Sequence, residues 1–302
     1  MRVIAALVSL AVLVCVLILA GLLVQASYAN AQDSTSAGSG ETLADLLVRG
    51  ADLQYRGEPA AAAEAFSRAL ELDPSSLFAQ DQLALALAKQ GEFARSLELF
   101  SRIASEHPED SFAGLWQGVL LLNADRADEA VAAFNRVLDH DPASADAHYF
   151  LGVVDFTERR ALAAADHFMQ AQALGSDDPE THFRLARAFR SLSMEANAML
   201  ELCRALELDP AHADAWRMLG WLLHARGEID AAVEAWERAL DLLPGDAESR
   251  ANIARVRNEQ ALDAWQAGQK DRARILWRQV LSVDPANRAA RDHLERTAEV
   301  AR

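Results

Sequence analysis

One skeleton recurs along most of the chain, and in its fullest copy it reads Trp216-x2-Leu219-Gly220-x2-Leu223, then Gly227, Ala232, Trp236, Ala239 and Pro244. Anchoring every copy on its closing proline marks Pro74, Pro108, Pro142, Pro179, Pro210, Pro244 and Pro285, which are 34, 34, 37, 31, 34 and 41 residues apart. A period of this size means a stack of small structural units, each burying its apolar face only against its neighbours. The 302-residue length is therefore no guide to the number of compact domains, and one continuous array of seven units is expected.

Within each unit a bulky apolar residue is flanked by small ones. The early copies are Ala62/Phe66/Ala69, Ser96/Phe100/Ile103, Ala130/Phe134/Val137 and Ala164/Phe168/Ala171; the later ones are Ala198/Leu202/Ala205, Ala232/Trp236/Ala239 and Ala273/Trp277/Val280. Spacings of four and three place these residues on one helical face, where alanine lets a neighbouring helix approach and the large side chain fills the gap. Upstream, Leu83, Leu151, Leu185 and Leu219, each followed by Gly or Ala (Ala84, Gly152, Ala186, Gly220), predict a first helix that is crossed tightly. Gly57, Gly91, Gly227 and Gly268 mark the turn between the two helices of a unit. Asp-Pro pairs beginning at 73, 141, 178, 209 and 284 end the units, because the residue before proline is pushed out of the α region.

On these residues the chain resembles the tetratricopeptide repeat family over 43–285. It departs from the pattern in three places: a proline delayed by three residues in the fourth unit, Leu202 in place of an aromatic in the fifth, and about seven extra residues near 246–253 in the seventh. The extra residues are expected to lengthen a first helix. The resemblance implies an all-α fold: a right-handed α-solenoid of about seven helix-turn-helix repeats, closed by a C-terminal capping helix over 287–300. That makes about fifteen helices between 43 and 300.

Ahead of the repeats, residues 1–31 hold a single charge, Arg2, then an apolar run from Val3 to Val24. Ala29 and Ala31 form a small-x-small cleavage pattern before Gln32, as in a secretory signal peptide. The run is also long enough to span a bilayer, so an uncleaved N-terminal membrane anchor, associating with the membrane through residues 3–24, is the competing reading. Either way the repeats are expected outside the cytoplasm, in a bacterial periplasm. Residues 32–42 read as a flexible linker and 43–302 as the solenoid with its cap. Cys15 falls inside the apolar run, which leaves Cys203 as the lone cysteine of a mature chain; beside the inward-facing Leu202 it reads as a buried, inert thiol.

Without residues 1–31 the formal charge is 28 basic less 45 acidic, or −17, so nucleic acid is an improbable partner. No phosphate-binding loop, zinc-protease or thiol-redox motif and no nucleophile elbow occurs, and the sequence calls for no enzyme activity, cofactor or metal. His148, His182 and Trp216 occupy equivalent positions of successive units, about one repeat apart, and read as packing residues.

The resemblance further implies a concave groove lined by first helices. There the third and fourth units place Phe112, Leu115, Trp116, Val119, Leu122, Tyr149, Phe150, Val153 and Phe156, whereas the fifth and sixth place Arg184, Arg187, Arg190, Arg217, Trp221 and His224. As a binding surface this would seat a protein partner's peptide or helix by its apolar anchors, with an acidic group on the arginines. Against it stands packing: first helices also build the core, and Arg184 can pair with Glu180 four residues back. The Lys and Asn positions of the family's dicarboxylate clamp are not reproduced. The expected function is a non-enzymatic scaffold or chaperone of the cell envelope. The alternatives are a module like that of cytochrome c maturation, holding an apoprotein, and a component of polysaccharide secretion.

Overall fold

The computed structural model describes residues 41–299, and the segment read as signal or anchor lies outside them. Fifteen helices and no strand occur among the described residues. In chain order they are α1 (Leu43–Tyr55), α2 (Pro59–Leu72), α3 (Leu77–Lys89), α4 (Phe93–Glu106), α5 (Ser111–Asn123), α6 (Ala127–His140), α7 (Ala145–Thr157) and α8 (Ala161–Ala173). There follow α9 (Pro179–Ser191), α10 (Glu195–Leu208), α11 (Ala213–Ala225), α12 (Ile229–Leu242), α13 (Ala247–Gln266), α14 (Lys270–Val283) and α15 (Arg288–Glu299). They form two units, divided between Val154 and Asp155.

Odd-numbered and even-numbered helices start differently. Each first helix has a side-chain N-cap, the acceptor that orphan amide donors require: Thr42, Ser76, Asp110, Ser144, Asp178, His212, Asp246 and Asn287. Those caps are 34 residues apart up to Asp246, so the fourth repeat has no insertion. Pro179 is the first residue of α9, with Asp178 capping it, and α8 ends instead at Leu174 and Gly175. Reading Pro179 as the end of a unit is therefore corrected: proline is equally at home in the first turn of a helix, where its missing N–H is no loss. The extra seven residues fall in α13, which has 20 residues against 13 in α11.

The second helices have no side-chain cap. The turn before them is fixed by its backbone: in the first repeat Gly57 N–H bonds to Gln54 O and Glu58 N–H to Leu53 O, a Schellman closure whose central residue must take positive φ. Gly57, Gly91, Gly227 and Gly268 supply it, but Asp125, Arg159 and Ser193 hold the same place with φ of 60°, 63° and 59°. A side chain there costs more than glycine's extra chain entropy. Arg159→Gly and Ser193→Gly are each expected to stabilise the chain by about 0.5–1 kcal/mol. An unmoved denaturation midpoint would show that the turn has relaxed in solution.

In the first unit the core runs between helix pairs. Phe66, Phe100 and Phe134 are fully buried, each over the small residue sixteen positions earlier: Gly50, Ala84 and Gly118. A Cβ on Gly50 or Gly118 would stand 2.6 or 2.3 Å from the ring it faces. In the second unit Leu202, Trp236 and Trp277 are likewise buried over Ala186, Gly220 and Ala261. Leu202 thus fills the aromatic position. At the C-terminal end, α15 covers α14, with Ala290 buried and the His293 ring stacked 4.7 Å from Trp277.

Candidate functional site

The groove residues fare differently in the two units. In the first, Trp116 and Tyr149 are buried, leaving 8% and 9% of their surface. Trp116 stacks on Phe100 at 6.0 Å, and Phe150 lies 5.3 Å from Phe134, also stacked. Tyr149 meets the edge of Phe150. Trp116 and Phe150 are thus engaged in packing on the preceding helix, and Tyr149 is buried against Phe150.

In the second unit, α9 carries Arg184, Arg187 and Arg190, and burial separates their roles. Arg184 is buried, its Nε 2.7 Å from Glu180 Oε1, the pairing its i,i+4 spacing allows. Glu180 is shared with His212, whose Nε2 lies 3.4 Å away while its Nδ1 accepts the Ala215 N–H as the cap of α11. Burial opposes charge on both partners, but their mutual bond outweighs it: the His212 pKa is raised and that of Glu180 lowered. Arg217 is spent too, between Asp214, Asp246 at 3.3 Å and Glu248 at 3.4 Å.

Arg187 and Arg190 make no ion pair among the described residues. The Arg187 guanidinium instead lies 4.6 Å over the half-buried Phe156 ring and 5.8 Å from Phe183, while Arg190 lies 5.3 Å over Trp221. Trp221 keeps 43% of its surface in solvent. Partial burial first, then the charges of Arg184 and Arg190, pull the Arg187 pKa down, outweighing the opposite pull of Glu180 and Asp214. The surface thus offers two aromatic platforms, each topped by an arginine. Sequence spacing could not separate these two arginines from the two that are internally paired.

Two other expectations concern single side chains. Cys203 is exposed, which corrects its reading as buried: one residue beyond Leu202 is about 100° further round α10, enough to leave the inner face. Its pKa is raised by desolvation and by Glu207, so the thiol is not activated. His182 is buried, with ring nitrogens 2.7 Å from Glu201 and 2.9 Å from Asp177, and so braces α9 against its neighbours. Among the described residues no group of His, Cys, Asp and Glu is arranged to hold a metal ion, and no helix is long and apolar enough to cross a membrane.

Models of the tetratricopeptide repeat match residues 47–111 and 115–179, then 179–212 and 213–246. No curated protein matches the chain by sequence. Among solved structures, the C-terminal part of a TPR repeat-containing protein from Cytophaga hutchinsonii is similar with TM-score 0.64 at 17% identity, over 82% of this chain and 99% of that one. Pseudomonas aeruginosa pilF also gives 0.64, at 19% identity over 70% and 97%. YrrB, a TPR protein with an unusual peptide-binding site, gives 0.52 at 21% identity over 65% and 97%. At these identities the likeness is one of fold, and it agrees with the helix pairs, buried triplets and Schellman turns found here. The chain belongs to the tetratricopeptide repeat family, whose stacked helix pairs generally serve as non-enzymatic scaffolds for protein–protein contact.

Proposed function

We propose that this chain is a non-enzymatic scaffold or chaperone of the bacterial cell envelope that holds a peptide or helical segment of a partner protein on the first helices of its second unit. The carrying observation is the pair of arginines seated on aromatic rings, Arg187 over Phe156 and Arg190 over the exposed Trp221. Aromatic and arginine side chains dominate interface energies, and here the two types are stacked on one another on a single face of the second unit. An acidic residue or C-terminal carboxylate flanked by an apolar side chain suits them. That YrrB has a peptide-binding site shows the fold can serve such a role. The envelope address rests on residues 1–31, the apolar run and the Ala29-x-Ala31 pattern.

The test begins with affinity purification from an envelope extract and identification of what is retained. Trp221→Ala should then cost about 2 kcal/mol of partner affinity, roughly thirtyfold. Arg187→Glu should weaken binding in a manner that fades with added salt. Mass analysis of the periplasmic form should find an N-terminus at Gln32, or Met1 in the membrane fraction. A soluble cytosolic pool, or a partner indifferent to both substitutions, would remove the reading.

A further inference from the structure

First helices in the stack meet at a fixed register, in which one residue faces the N-cap of the next first helix 29 positions on. In the second unit the pairs are matched: Phe183 lies ring to ring with His212 at 4.6 Å, and Arg217 reaches Asp246 at 3.3 Å. Asn258 and Asn287 repeat the spacing, amide to amide at 3.5 Å. In the first unit the same register sets Asp81 of α3 against Asp110, the cap of α5, close enough for a side-chain hydrogen bond. Two carboxyls meet where Arg217 meets a carboxylate.

Asp110 is committed to its helix, its Oδ1 accepting the Phe112 N–H at 2.9 Å and the Ala113 N–H at 3.2 Å. Asp81 is 8% exposed; its buried Oδ1 accepts no hydrogen bond, and the side-chain bond its carboxyl makes is to the other carboxyl, Asp110. A polar atom left unpaired at that depth is costly, and a second carboxylate beside it makes it costlier. The matched repeat shows which charge the slot lacks.

We propose that Asp81 and Asp110 receive the guanidinium or ammonium group of an arginine or lysine from a partner segment lying along the first helices of the first unit. The proposal rests on the reading of the chain as a segment-binding scaffold, and it adds a basic residue to what that segment must carry. A side-chain cation fits better than a divalent metal, which asks for about six oxygen ligands where, among the described residues, no third acidic, histidine or cysteine group joins the pair. The half-buried Asp110 is the side from which the cation enters.

The probe is a phage-displayed library of random dodecapeptides panned on the full chain. Enriched peptides should share one lysine or arginine, and its replacement by norleucine should weaken binding at least about tenfold. Asp81→Arg, which supplies internally the cation that Arg217 gives Asp246, should erase the difference between basic and norleucine peptides while helicity and melting temperature are kept; Asp81→Asn should reduce it. Failure to enrich a basic position, basic peptides that bind Asp81→Arg as well as the unaltered chain, or a slot that added Ca2+ occupies in their stead would each overturn the assignment. Peptides lost with Trp221→Ala but untouched by Asp81→Arg would sink this inference alone and leave the second-unit site standing.

Discussion

Asp81→Asn is expected to make the chain more stable at pH 7, by about 2–3 kcal/mol once partial solvation of the site is allowed for. Burial, followed by the charge and hydrogen bond of Asp110, pushes the Asp81 pKa up from 3.8 to about 8. Below about pH 4 the carboxyl is protonated in folded and unfolded chains alike, and it costs nothing. From there to about pH 8 the unfolded chain releases a proton that the folded chain retains, so stability falls steadily as pH rises. The amide keeps a donor for Asp110 and has no proton to lose, so the variant should lack that slope. Denaturation midpoints of the two proteins should nearly coincide at pH 4 and separate progressively to pH 8. A constant separation would mean that Asp81 is solvated and ionised like a surface carboxylate.

Gly118→Leu is expected to destabilise by about 3 kcal/mol, because the crossing of α5 with α6 has no room to give. A Cβ at Gly118 would stand 2.3 Å from Phe134 Cε1 and 2.5 Å from Cζ, and that ring is fully buried and stacked on Phe150. The better helix propensity of leucine recovers only about 1 kcal/mol. Pairing it with Phe134→Ala moves bulk from one side of the crossing to the other, so the double variant should be more stable than the sum of the single losses predicts. Strict additivity would show that the two positions do not touch.

The small-over-large relation at Gly118 and Phe134 also shows what was legible in advance. Buried triplets such as Ala232/Trp236/Ala239 repeat at helical spacings, so helix count, core face and capping helix could be read from local periodicity, as could the lengthening of α13. Turn glycines were legible for the same reason. Arg159 and Ser193 were not, because nothing in those residue types announces positive φ; only their place in a Schellman closure imposes it. Pro179 misled because proline suits both the end of one helix and the first turn of the next, and only the hydrogen bonds of Asp178 decide between them.

The candidate sites were half visible. First-helix spacing brought forward Phe156, Trp221 and the α9 arginines as a set, but not which cations were already satisfied. That depends on Asp246 and Glu248 for Arg217 and on His212 for the Glu180 that holds Arg184, all three outside the helix that carries the arginine. The sequence by itself determined a stack of helix pairs, their period and the residues each pair buries, since these follow from interactions within one repeat. Only the tertiary structure decided which charges are compensated, that Asp81 stands against Asp110 and that Cys203 faces outward. Such facts rest on contacts between neighbouring helices and on how each helix is rotated against the next, and a 34-residue period does not encode them.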